Sequence, residues 1–131
     1  MAVVPLLRDE EAGAEALAVF DDIRAKRQTD YVNNFWRALA HDPATLKATW
    51  DRVQQVMAPG ALDPLVKELI YVAVSTANGC DYCVHSHTAV ARAKGMTPAM
   101  HGELLAVIAL ASQTNALATA LSVPVDERFQ A

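Results

Sequence analysis

Excess positive charge, long apolar runs, repeats and all but two cysteines are missing from this chain. Lys and Arg number 11 against 15 Asp and Glu, for a net charge of −4. That balance excludes the basic footprint a nucleic-acid partner requires. The basic residues are scattered except for Arg24, Lys26 and Arg27, which read as a solvated helix end. No uninterrupted apolar run reaches the roughly 18 residues needed to span a bilayer. The start, Met1 to Leu7, is apolar but has no basic n-region and contains Pro5. It does not read as a signal peptide. These absences point to a cytoplasmic protein without a membrane or nucleic-acid partner. With no repeat, low-complexity tract or long linker, 131 residues suggest a single domain, 1–131, large enough to bury a core.

Apolar residues are plentiful, at 53% of the chain, and Ala, Val and Leu supply most of them. For a short chain that hints at a second buried surface, hence self-association. Breakers at regular intervals cut the chain into helices. Residues 9–27 read as a first helix, with Asp9, Glu10 and Glu11 suited to its positive N-terminal end. Residues 30–40 form a second, carrying Tyr31, Phe35, Trp36 and Leu39 toward the core. Asp42-Pro43 caps a helix from 43 to about 57, with Leu46, Trp50, Val53 and Met57 on its buried stripe. Asp63-Pro64 repeats that signal and opens a helix to about 77. The run Ile70 to Val74 has strand-like composition, but the proline cap before it and Asn78-Gly79 after it favour a buried helix. Cys80 then lies at or next to the start of a helix running to Lys94. Gly95 stops that helix, Thr97-Pro98 caps a short one, and residues 103–121 make a last one before a frayed end. No strand elsewhere could pair, so the class is all-α, with about six to seven helices.

The two cysteines lie three apart, with His87 four residues beyond the second and Glu68 twelve before the first. On a helix, positions 80, 83 and 87 share one face. A helix N-terminus lowers a thiol's pKa, and C-x-x-C spacing permits a disulfide across one turn. One thiol can attack a peroxide, and the other can condense with the resulting sulfenic acid. His87, one turn past Cys83, is spaced to take its proton. His85 points about 140° away from Cys80 and reads as a surface or interface residue. His41 and His101 have no companion motif. Glu68 lies on a mostly apolar stripe with Tyr71, Val72 and Ser75, so its carboxylate is either buried beside the thiols or ion-paired with Lys67 or Arg92. A second reading of the same side chains is a zinc site built from Cys80, Cys83, His87 and either Glu68 or His85. A third is a noncatalytic redox-sensing oligomer.

Lys67-Glu68-Leu69-Ile70, then Asn78-Gly79-Cys80-Asp81-Tyr82-Cys83, then His87 and Gly95, resembles the alkylhydroperoxidase AhpD family of the carboxymuconolactone decarboxylase-like superfamily. The likeness runs through about residues 30–121. It implies an AhpD-like helical bundle that assembles as a homo-oligomer, a trimer or hexamer. It also implies a thiol-dependent peroxidase acting on organic hydroperoxides. No bound cofactor or metal is implied, only an external thiol, lipoyl or thioredoxin-like reductant. In that pattern Cys83 attacks the hydroperoxide, Cys80 resolves the sulfenic acid, and Glu68 and His87 relay the proton. The best-known peroxidases of the family have a histidine just before the second cysteine, where this chain has Tyr82. A phenol with a pKa near 10 is a poorer base at neutral pH. It can still hydrogen-bond a water or hydroperoxide, so Tyr82 joins the candidate site. The decarboxylase branch lacks the paired cysteines, which argues against lactone decarboxylation.

Overall fold

A computed structural model describes residues 1–130 and is helical, with no strand among them. The helices are α1 (Ala14–Arg27), α2 (Asn34–Leu39), α3 (Pro43–Met57), α4 (Pro64–Ala77), α5 (Asp81–Ala93) and α6 (Pro98–Ala120). A short 3-10 turn, Glu127–Phe129, stands where a frayed end is expected from the sequence. The contacts divide the chain into two compact units, Met1–Ala58 and a second from Pro59 onward.

The first unit holds α1, α2 and α3 around one apolar core. Phe20, Ile23, Val32 and Leu46 are fully buried there, and Trp36 packs edge-to-face on Trp50 with ring centroids 5.4 Å apart. Trp50 also donates its indole N–H to Asp22 Oδ2 at 2.7 Å, so the buried ring has its polar edge satisfied. The acidic run does not begin α1. Gly13 is the N-cap, and Asp9 instead accepts from both Arg24, at 2.6 Å, and Arg37, at 3.1 Å. Two guanidiniums outcompete a helix dipole for one carboxylate. Arg24 is therefore part of an ion-pair network rather than a solvated helix end. Tyr31 and Phe35 are exposed rather than core, because α2 is only six residues long and Val32 and Trp36 take the inward positions.

In the second unit α4 opens where Asp63 accepts the Leu65 N–H at 2.8 Å and Pro64 takes the first helical position. α4 ends in a Schellman turn. Gly79 N–H reaches Thr76 O at 3.1 Å and Cys80 N–H reaches Ser75 O at 2.9 Å. The turn needs a left-handed residue, and Gly79 supplies it at φ +68°. Three linking residues then fold α5 back along α4 as a helical hairpin, the main packing of this unit.

α6 differs from the expected short helix followed by a longer one. It is continuous over 23 residues, and Gly102 sits inside it. A glycine costs a helix about 1 kcal/mol, too little to interrupt one that is capped by Thr97 and Pro98. By length and composition alone, with a mean hydropathy of 1.2 over the best window, α6 is long enough to cross a membrane. The average hides polar breaks at Gln113, Thr114 and Asn115, which is why no uninterrupted apolar run of that length exists. None of its residues is buried, and Val107, Leu110 and Leu117 stand exposed. Val66, Ile70 and Val74, at a spacing of four along α4, are exposed as well.

Candidate functional site

The α4–α5 hairpin assembles the candidate side chains. On α4 the inward stripe is Glu68, Val72 and Ser75, spaced four and three apart. Glu68 is thus buried, at 4% exposure, on a helix whose other inward positions are small or apolar. A buried charge needs a partner. Glu68 Oε2 lies 2.7 Å from His87 Nδ1 on α5, not in an ion pair with Arg92. A carboxylate accepts, so in this bond Nδ1 is the donor and Nε2 is the ring nitrogen left for other partners.

Cys80 is at once the last residue of the Schellman turn and the N-cap of α5. Its thiol pKa is lowered. The Cys83 thiol as hydrogen-bond partner is the largest cause, and the Cys83 N–H points at the same sulfur without closing a full capping bond. The positive end of α5 acts in the same direction. Cys83, one turn inward, is pushed up to about 11, first by burial and then by the hydrogen bond and charge of Cys80. Both cysteines are free thiols. The pair therefore loses its first proton from Cys80, and Cys83 needs a base before it can react.

Tyr71 is the residue that sequence reasoning passed over. Its ring stacks on the His87 imidazole, with centroids 3.5 Å apart and planes 18° apart. Its phenol pKa is raised by burial first, then by the charges of Cys83, Glu68 and Cys80. The signal was available, since Tyr71 follows Glu68 by three on the same stripe, but an aromatic at helical spacing reads as core. Tyr82 is 43% exposed on the first turn of α5. His85 is exposed too, and takes no part in the Glu68–His87 bond. His41 pairs with Pro5 O at 2.7 Å in the first unit. Among the described residues, no three His, Cys, Asp or Glu side chains gather as a metal site requires. The zinc reading of the same residues has no geometry behind it.

The profile of the Carboxymuconolactone decarboxylase family matches residues 43–126, well over half of the chain. The chain belongs to that family. Within it the likeness is to AhpD proteins. A crystal structure of the alkylhydroperoxidase AhpD core from Rhodospirillum rubrum superposes with a TM-score of 0.96 at 64% identity, covering 100% of this chain and 98% of that one. The alkyl hydroperoxide reductase AhpD of Solibacter usitatus is 43% identical over 72 residues, which is 55% of this chain. The matched stretch is 39% of that relative's length. This family member therefore has the AhpD-like all-α fold that the resemblance implied.

Proposed function

We propose that this protein is a thiol-dependent peroxidase that reduces organic hydroperoxides through Cys80 and Cys83. The observation that carries the reading is the shared helix start. A thiol pair with divergent acidities sits on the same hairpin as an imidazole bound through Nδ1 to a buried carboxylate. The AhpD names of the similar proteins support it.

In the proposed cycle His87 Nε2 accepts the Cys83 proton, and the thiolate attacks the distal oxygen of the hydroperoxide. The O–O bond breaks, an alcohol leaves with the returned proton, and Cys83 becomes a sulfenic acid. Cys80, already the more acidic thiol, then attacks the Cys83 sulfur. Water departs and a disulfide forms. An external dithiol of the lipoyl or thioredoxin class attacks the outer sulfur, Cys80, and its two electrons restore both thiols. Cys83 leaves in that first exchange, and the reductant's second thiol then expels Cys80 from the mixed disulfide, a step that its low thiol pKa favours. Tyr82, at the exposed first turn, hydrogen-bonds incoming peroxide or water. The cycle needs no bound cofactor.

The protein acts as a homo-oligomer, a trimer or hexamer, in the cytoplasm. The exposed apolar side chains of α4 and α6 are the support for assembly, and the polar breaks in α6 fit a protein interface better than lipid. Hydroperoxide turnover with a dithiol reductant tests the proposal on the parent, Cys83→Ser and Cys80→Ser proteins. Cys83→Ser is expected to abolish turnover. Cys80→Ser is expected to stop after one oxidation per chain. Parent-like turnover in Cys83→Ser would overturn the assignment.

A further inference from the structure

We propose that Tyr71 is a positioning residue which, together with Glu68, clamps the His87 imidazole into a single orientation. The inference rests on the peroxidase reading only for its kinetic consequence.

Glu68 and Tyr71 lie three apart on α4, so they project from one face about a turn apart. Both reach the same ring on α5. The carboxylate holds one atom, Nδ1, at 2.7 Å. A single hydrogen bond leaves the ring free to swing about the N···O axis. The Tyr71 stack removes that freedom, because centroids 3.5 Å apart with planes inclined by 18° leave no room for the imidazole to turn edge-on. One contact sets where the ring is, and the other sets its plane. Together they fix the direction of the Nε2 lone pair.

The environment suits the phenol to this task. Burial and the nearby charges of Cys83, Glu68 and Cys80 keep Tyr71 protonated, so a neutral ring faces the imidazole through a cycle that creates and discharges thiolate. A neutral aromatic face also accommodates the imidazolium formed when His87 takes a proton. A leucine at this position would fill volume but impose no plane.

The test compares Tyr71→Phe, which keeps the ring, with Tyr71→Leu, which removes it. ¹³C NMR relaxation of the imidazole Cδ2–H and Cε1–H reads how far the His87 ring moves, with the His87 signals assigned by their loss in His87→Asn. Parent and Tyr71→Phe should show a rigid His87 ring, and Tyr71→Leu should show a mobile one. In the peroxidase assay Tyr71→Leu should lower kcat by about tenfold with KM changed by less than about twofold, and Tyr71→Phe should recover kcat to within about threefold of the parent. Should Tyr71→Leu not fold by circular dichroism, Tyr71→Met provides the ring-free comparison. A His87 ring as rigid as the parent's in the folded ring-free variant would overturn the clamp. So would a Tyr71→Phe protein as impaired as the ring-free one, which would assign the role to the hydroxyl. A parent protein without hydroperoxide turnover would sink the peroxidase reading alone, because the NMR comparison requires no turnover.

Discussion

Replacing Cys80 with alanine should make Cys83 more reactive toward alkylation, an outcome opposite to what loss of a cooperating thiol suggests. Cys83 is held at about 11, against 9.0 for an ordinary thiol, by burial, by the hydrogen bond with Cys80 and by the charge on Cys80. At pH 8 about one Cys83 in a thousand is thiolate, against about one in ten for an unperturbed thiol. Cys80→Ala removes the second and third causes and leaves burial, the largest. The midpoint should therefore fall while staying above 9.0. Alkylation of Cys83 at pH 8 should speed up by more than about threefold and less than about a hundredfold. The assay is a pH–rate profile with a neutral alkylating reagent, read at each cysteine by peptide mass spectrometry. In the parent, Cys80 should be modified first, because its pKa is the lowered one. A parent Cys83 that titrates at or below 9.0, or a Cys80→Ala profile that is unchanged or shifted upward, would refute the reasoning. It would also remove the need for His87 as a base.

Glu68→Gln exchanges the carboxyl for an amide that can turn either its oxygen or its nitrogen toward Nδ1, so kcat should fall about tenfold with KM nearly unchanged in steady-state assays. Phe20→Ala empties a fully buried site in the first unit, and chemical unfolding should show a loss of about 3–5 kcal/mol. Leu110→Glu places charge on the exposed apolar face of α6, and light scattering should report a smaller particle than the parent forms. A parent that is already monomeric would discard that interface.

The helix boundaries most legible in the sequence were those with chemical punctuation. Asp42-Pro43 and Asp63-Pro64 open α3 and α4 where the cap-plus-proline pattern places them, and Gly79 and Gly95 close α4 and α5 with left-handed turns. Boundaries that depend on competition were not legible. Asp9 looks like a helix-start residue until Arg24 and Arg37 arrive from distant positions to bind it. The sequence suggests a short helix after Thr97-Pro98 and a separate one from 103, yet α6 runs unbroken through Gly102. Tyr31 and Phe35 fit a buried stripe by spacing, but the pairing of Trp36 with Trp50 leaves them outside.

For the site, local spacing alone put Cys83 and His87 one turn apart on α5, because the helical repeat is a property of the backbone, while Cys80 stands just ahead of them as the N-cap. Whether Glu68 joined them was a question about two helices, open between a surface ion pair and a buried partner. The hairpin turn decided it by laying α4 against α5 so that the carboxylate meets Nδ1. The same packing placed Tyr71 on the imidazole and split the acidities of the two thiols, since burial and neighbouring charge exist only once the chain has folded back on itself.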